Sequence, residues 1–111
     1  MNTFHTDMTH SWNSYSIYEQ MANIGAEVGR SINWKKKNNE KMSMNALYRA
    51  LELIDLTVAD EKNCNRLAEI LRMREMLLDF SIGENIYNST NDKWNNYFYY
   101  YNVAARKVKS G

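Results

Sequence analysis

The sequence predicts an all-α protein, an antiparallel four-helix up-and-down bundle, and three observations carry that prediction. The chain of 111 residues contains no proline and only four glycines, so few positions interrupt a helix. Its apolar residues recur at helical spacing in four segments. Short polar stretches with capping residues separate those segments, and helices joined this way pack most simply up and down.

The first helix is expected from about Ser16 to Lys37. Ser16 and Glu19 form a capping box, in which each side chain serves a free backbone N–H of the other residue. Ile17, Met21, Ile24, Val28 and Ile32 then make one apolar stripe, and the run "KKKNN" closes the helix with cations at its negative end. Gly25 and Gly29, with Ala22 and Ala26, form a smooth strip that lets a neighbouring helix, or a ligand, approach closely. The second helix spans about Ser43 to Ala59, with Leu47, Ala50, Leu51, Ile54 and Val58 inward and Met44 beside them. Leu53 and Leu56 point elsewhere and give this helix a second apolar face. "DEKN" turns the chain into a third helix ending near Phe80, whose stripe is read as Leu67, Ile70, Leu71, Leu77 and Leu78. Residues 81–90 form a loop, and Ser89 or Thr90 caps the fourth helix, with Asp92 in its first turn.

The fourth helix contains "WNNYFYYYNVAARK", a dense run of aromatics. At 100° per residue, Trp94, Tyr97, Phe98, Tyr101, Ala105 and Val108 share an arc about 100° wide, the width of a core-facing stripe. Tyr99, Tyr100 and Val103 lie opposite. Together with Leu53 and Leu56 they are the candidate interface residues for a homodimer.

Composition narrows the function. A formal net charge of +1 lacks the basic excess of a dedicated nucleic-acid binder. The single Cys64 rules out an internal disulfide and a cysteine-built zinc site, and fits a reduced thiol in the cytoplasm. No apolar run nears the roughly 20 residues that span a bilayer, and the N-terminus shows no secretory pattern. Residues 1–13 read as a flexible leader and 14–111 as one domain. Both histidines, His5 and His10, lie in that leader, which leaves no base for a hydroxyl or thiol nucleophile and no Glu-x-x-His metal motif. No cofactor or metal is expected, and the chain reads as non-enzymatic.

Arg74 is the anomaly, because it falls inside the stripe assigned to the third helix. An arginine there needs a carboxylate, and Asp55, Glu27, Glu75 and Asp79 are the candidates. With Trp94 and Tyr97, Asp55 and Arg74 make up a candidate pocket for a small apolar or anionic ligand. Around it, Arg66, Glu69, Arg72 and Glu75 have the spacing of a surface ion-pair ladder.

The segment "RALELIDLTVADEKNCNRLAEILRMREMLLDF", residues 49–80, resembles HEPN domains, which are bacterial and archaeal helical bundles that often dimerise. More generally the chain resembles small prokaryotic helical families of unassigned role. Many HEPN proteins are ribonucleases or partner subunits of small nucleotidyltransferases in toxin–antitoxin systems, and their mark is an arginine followed after four to six residues by a histidine. Here Arg74 takes the arginine's place, followed by the polar Glu75, and Asp79 stands where the histidine belongs. The resemblance implies a nucleic-acid-associated protein with a degenerate catalytic pair, Arg74 and Asp79, and with the lysines at 35–37 and the "RKVK" at 106–109 on phosphates. The reading from the residues themselves is a cytoplasmic helical module that acts through protein surfaces, as a homodimer.

Overall fold

The computed structural model describes residues 11–110, with side-chain surroundings as far as Lys107. Four long helices pack antiparallel: α1 (Ile17–Lys36), α2 (Glu40–Ala59), α3 (Leu67–Ile82) and α4 (Asn91–Ser110), with a 3-10 segment at Glu61–Arg66 between α2 and α3. No helix among the described residues is long and apolar enough to cross a membrane.

The helix ends follow local chemistry. Ser16 and Glu19 form the expected capping box on α1. α2 starts three residues earlier than its apolar stripe suggests, because the Asn39 side chain accepts the Met42 N–H and caps it there. Thr90 accepts the Lys93 N–H at the start of α4. Between α1 and α2 the chain turns through Asn38, which has φ 61°, a left-handed conformation that asparagine tolerates better than most residues.

α1 is central, packed against both α2 and α4. On α2 the approach is tight: the Ser43 hydroxyl donates to the Ser31 carbonyl at 2.7 Å, and Glu27 pairs with Arg49 across the helices at 3.1 Å. Toward α4, Phe98 lies so close to Gly25 that a methyl group there would sit 2.6 Å from its Cβ and Cγ. Phe98 therefore fills the strip of small residues at Gly25, whereas Ala26 is exposed and nothing lies within 4 Å of a Cβ added at Gly29. The core collects Met21, Ile24, Val28, Leu47, Ile54, Ile70, Leu77, Trp94, Phe98 and Tyr101. Trp94, Phe98 and Tyr101 are buried as expected, whereas Tyr97 and Ala105 are half-buried. Val108 lies outside the side chains described.

Two expectations need correcting. The first concerns the end of the leader, expected to reach residue 13. Residues 1–10, with both histidines, lie outside the described residues, but Trp12 is buried in the core. Its indole N–H donates to Thr57 Oγ1 at 3.0 Å, and its carbonyl accepts from Gln20 Nε2 at 2.9 Å. Polar residues that carry no apolar signal build the socket. Gln20 also donates to Asp60 Oδ2 at 2.9 Å, and Asn63 Nδ2 donates to Gln20 Oε1 at 2.9 Å and to the Thr57 carbonyl at 3.0 Å. All four are buried, and every polar side chain in the cluster has a partner, as burial requires.

The second correction concerns the facing of two stripes. On α2 the buried side chains are Ser43, Ala46, Leu47, Ala50, Ile54 and Thr57, so Leu51 and Val58 are only half-buried. On α3 they are Ile70, Met73 and Leu77, and Leu67 and Leu71 face outward.

Burial alone would raise the Asp60 carboxyl, and it is the largest single influence. The Lys62 ammonium, the Gln20 amide and the Lys62 backbone N–H together outweigh it and hold the group below its ordinary value of 3.8. A depressed carboxyl stabilises the fold above its unfolded-state pKa, and that contribution is lost as pH falls through the folded value. Urea midpoints measured from about pH 6 down to about pH 2 are expected to drop below about pH 4, and less steeply in Asp60→Asn.

The two α1 glycines separate packing from propensity. Gly25→Ala must push Phe98 aside and is expected to destabilise by about 1–3 kcal/mol. At Gly29 nothing lies within 4 Å of an added Cβ. There alanine is expected to stabilise by about 0.5–1 kcal/mol in chemical denaturation.

Candidate functional site

The outward side of α3 and its junction with α4 hold the residues singled out from the sequence, in a different grouping. Arg74 Nε donates to Asp55 Oδ1 at 2.9 Å, so the first-named carboxylate is its partner. The pair is not interior: Asp55 is 60% exposed. Leu67, Leu71 and Leu78, the stripe that Arg74 shares, are not the core face of α3. With the core face at Ile70, Met73 and Leu77, Arg74 sits at its margin. Glu27 is held instead by Arg49 and by Arg30, at 3.0 Å.

Asp79 has a separate task. Its carboxylate accepts the backbone N–H groups of Ile86 at 2.8 Å and Tyr87 at 3.1 Å, and its carbonyl accepts those of Gly83 and Asn85, each at 3.1 Å. Gly83 lets the chain fold back this closely, since a Cβ there would lie 2.9 Å from the Asp79 Cα and carbonyl oxygen. Asp79 is therefore the anchor of the α3–α4 loop. It shares no bond with Arg74, and the two do not form a pair like that of the HEPN motif.

The ion-pair ladder does not form either. Glu69 accepts the Tyr101 hydroxyl at 2.9 Å, Glu75 accepts the Tyr87 hydroxyl at 3.3 Å, and the Arg66 guanidinium lies 5.7 Å from the centre of the Tyr18 ring. Among the described residues Arg72 has no ion-pair partner.

The candidate pocket divides in two. Trp94 and Tyr97 line a cleft of about 380 Å³ between α3 and α4, while Arg74 and Asp55 lie outside it on the α2 side. α3 contributes Glu69, Arg72, Met73 and Met76 to the cleft, the loop contributes Tyr87 and Ser89, and α4 adds Lys93. The helices meet here through large rings: Phe80 packs on Trp94 at 6.2 Å, and Trp94 is edge-on to Tyr97 at 6.0 Å. The Trp94 N–H is buried without a hydrogen-bond partner, and the Tyr97 hydroxyl lies beside that of Tyr101. No sequence pattern marked Arg72, Met73 or Met76 as a wall of this cleft, because their grouping depends on how far α4's rings hold α3 away.

Burial raises the phenols of both Tyr97 and Tyr101 above the ordinary tyrosine value of 10.0. For Tyr101 the adjacent Tyr97 and the Glu69 carboxylate push the same way. For Tyr97 the neighbouring Tyr101 hydroxyl works against burial, and the Glu69 charge adds to it.

A smaller recess of about 150 Å³ opens at the end of the bundle where α1 and α3 finish and α2 and α4 begin, with Lys35, Lys36 and Glu40 among its lining residues. Lys37 lies 5.3 Å from the Trp34 ring centre, so the basic run at 35–37 is split between a recess and an aromatic face. The C-terminal "RKVK" extends beyond the side chains described. Among the described residues no three His, Cys, Asp or Glu side chains are grouped to hold a metal ion.

The interface candidates also separate. Tyr99 and Tyr100 are exposed, Val103 is half-buried, and Leu53 and Leu56 pack against the core cluster, so the five do not make one second face. No family model, curated protein or solved structure matches the chain.

The contrast between exposed and buried polar contacts is measurable. Arg74→Ala removes an exposed ion pair and is expected to cost a few tenths of a kcal/mol. Tyr101→Phe strips a hydrogen bond to a charged carboxylate from a buried ring and is expected to cost about 1–2 kcal/mol. Unfolding free energies in the reverse order would put the structural weight on Arg74.

Proposed function

We propose that the protein is a self-associating helical module, a homodimer in which the outer face of α3 packs antiparallel on α3 of a second copy. One observation supports this reading above the others: α3 carries two apolar faces, and only one meets the core. The outer stripe of Leu67, Leu71, Arg74, Leu78 and Ile82 spans about 80° of the helix surface at the ideal helical angle per residue. Leu67 is 37%, Leu71 46% and Ile82 61% exposed. Isolated exposed hydrophobes are ordinary, whereas a continuous stripe on one helix is what an interface needs.

The stripe is also suited to its own copy. Read about the Arg74–Glu75 peptide bond it is nearly symmetric: Leu71 is matched by Leu78, and Leu67 by Ile82. A two-fold contact demands this self-complementarity, because each residue must find the other's equivalent. At its centre the Arg74–Asp55 pair meets its symmetry mate head to tail, so each guanidinium faces both its own aspartate and the partner's. Asp55, largely exposed, has room for the second contact. An interface limited to one helix face is small, so dissociation is expected in the micromolar range, about 1–100 µM.

Sedimentation equilibrium tests the reading. The wild-type chain is expected to dimerise. Leu71→Asp and Asp55→Arg, both at exposed positions, are expected to leave monomers of unchanged helicity, and the double exchange Asp55→Arg with Arg74→Asp is expected to restore the dimer. A wild-type monomer at about 100 µM, or a dimer indifferent to Leu71→Asp, overturns it.

A further inference from the structure

The cleft between α3 and α4 lies on a different side of α3 from the outer stripe, and its chemistry is of another kind. Three properties coincide there. The walls are apolar and adaptable, with Met73, Met76 and the Trp94 ring, and methionine fits ligands of varied shape. The charge is unbalanced: Arg72 has no ion-pair partner among the described residues, Lys93 reaches only the Asn88 carbonyl at 3.2 Å, and the one carboxylate present, Glu69, already accepts the Tyr101 hydroxyl. A donor is left unmatched as well. Trp94 is only 5% exposed, yet its N–H has no acceptor. Native proteins leave few buried donors unpaired, and one on the wall of a cleft marks a place where an acceptor is missing. The cleft, at about 380 Å³, falls within the range of small-molecule sites.

We infer that this cleft binds a small amphiphilic monocarboxylate, an aryl or short alkyl body bearing one carboxylate group. The apolar body lies against Met73, Met76 and the Trp94 ring. The carboxylate is drawn by Arg72 and Lys93, and one of its oxygens supplies the acceptor that the Trp94 N–H lacks. Arginine suits this task because its planar fork matches a carboxylate and stays charged at every physiological pH. The inference does not depend on self-association, since Arg72 and the cleft lie away from Leu71 and Asp55.

The test is an NMR titration with phenylacetate as the probe, following the three indole N–H resonances of the full chain. The Trp94 signal is expected to move and saturate by about 10 mM probe. Trp12, whose N–H is bonded to Thr57, and Trp34, on α1, are expected to stay in place. Arg72→Gln is expected to weaken binding roughly tenfold while leaving the fold intact, and the neutral isostere phenylacetamide is expected to bind wild type roughly tenfold more weakly. No Trp94 shift, equal shifts at all three indoles, or equal affinity for the acid and the amide overturns the inference.

Discussion

Phe98 rests on the backbone of α1 at Gly25 with no room for a methyl group between them, and much of the architecture follows from that contact. It fixes how near α4 approaches α1 and turns the row of Trp94, Phe98 and Tyr101 inward as core. The same row is wide. With α4 held tightly on α1, its rings and the half-buried Tyr97 stand between α4 and α3, and the two helices meet through side chains such as Phe80 on Trp94. The cleft is the residue of that mismatch: one seam is closed by a glycine, and the next is propped open by indole and phenol rings. Close packing leaves few such gaps in a domain, so a gap with an unmatched donor on its wall stands out.

At the far end of the bundle a polar cluster does what apolar packing does elsewhere. Gln20 bridges the Trp12 carbonyl, the Asp60 carboxylate and the Asn63 amide, and so ties the segment ahead of α1 to the junction of α2 with the 3-10 turn. Such a network tolerates little variation in register, because each member leaves another unpaired if it shifts. It defines the geometry of the hairpin more sharply than the apolar contacts alone would.

The helices themselves were legible because spacing is a property of the chain. The stripe of α1 and the buried arc of α4 could be read from Met21, Ile24, Val28 and from Trp94, Phe98, Tyr101 without knowing their neighbours. α3 was not legible in this way. It has apolar residues on two sides, and periodicity says that a face is greasy without saying which face meets the core. Leu71 and Met73 are equally apolar, yet Met73 faces the core and Leu71 the outside, which leaves Arg74 at the margin and apart from Trp94. Trp12, Gln20 and Asn63 were missed for a different reason: their burial rests on hydrogen bonds to residues 40 or more positions away, which leave no local pattern.

α3 presents Met73 and Leu77 to the interior, Arg72 and Met76 to the cleft, and Leu71 and Leu78 outward, all on a single stiff rod of four and a half turns. Anything that tilts or rotates this rod is felt on every side at once. Occupation of one side and coverage of another therefore cannot be energetically independent wherever either displaces the helix. Thermodynamic reciprocity then requires the influence to be equal in both directions, so that whatever tightens one grip by a given factor is itself held more tightly by that factor.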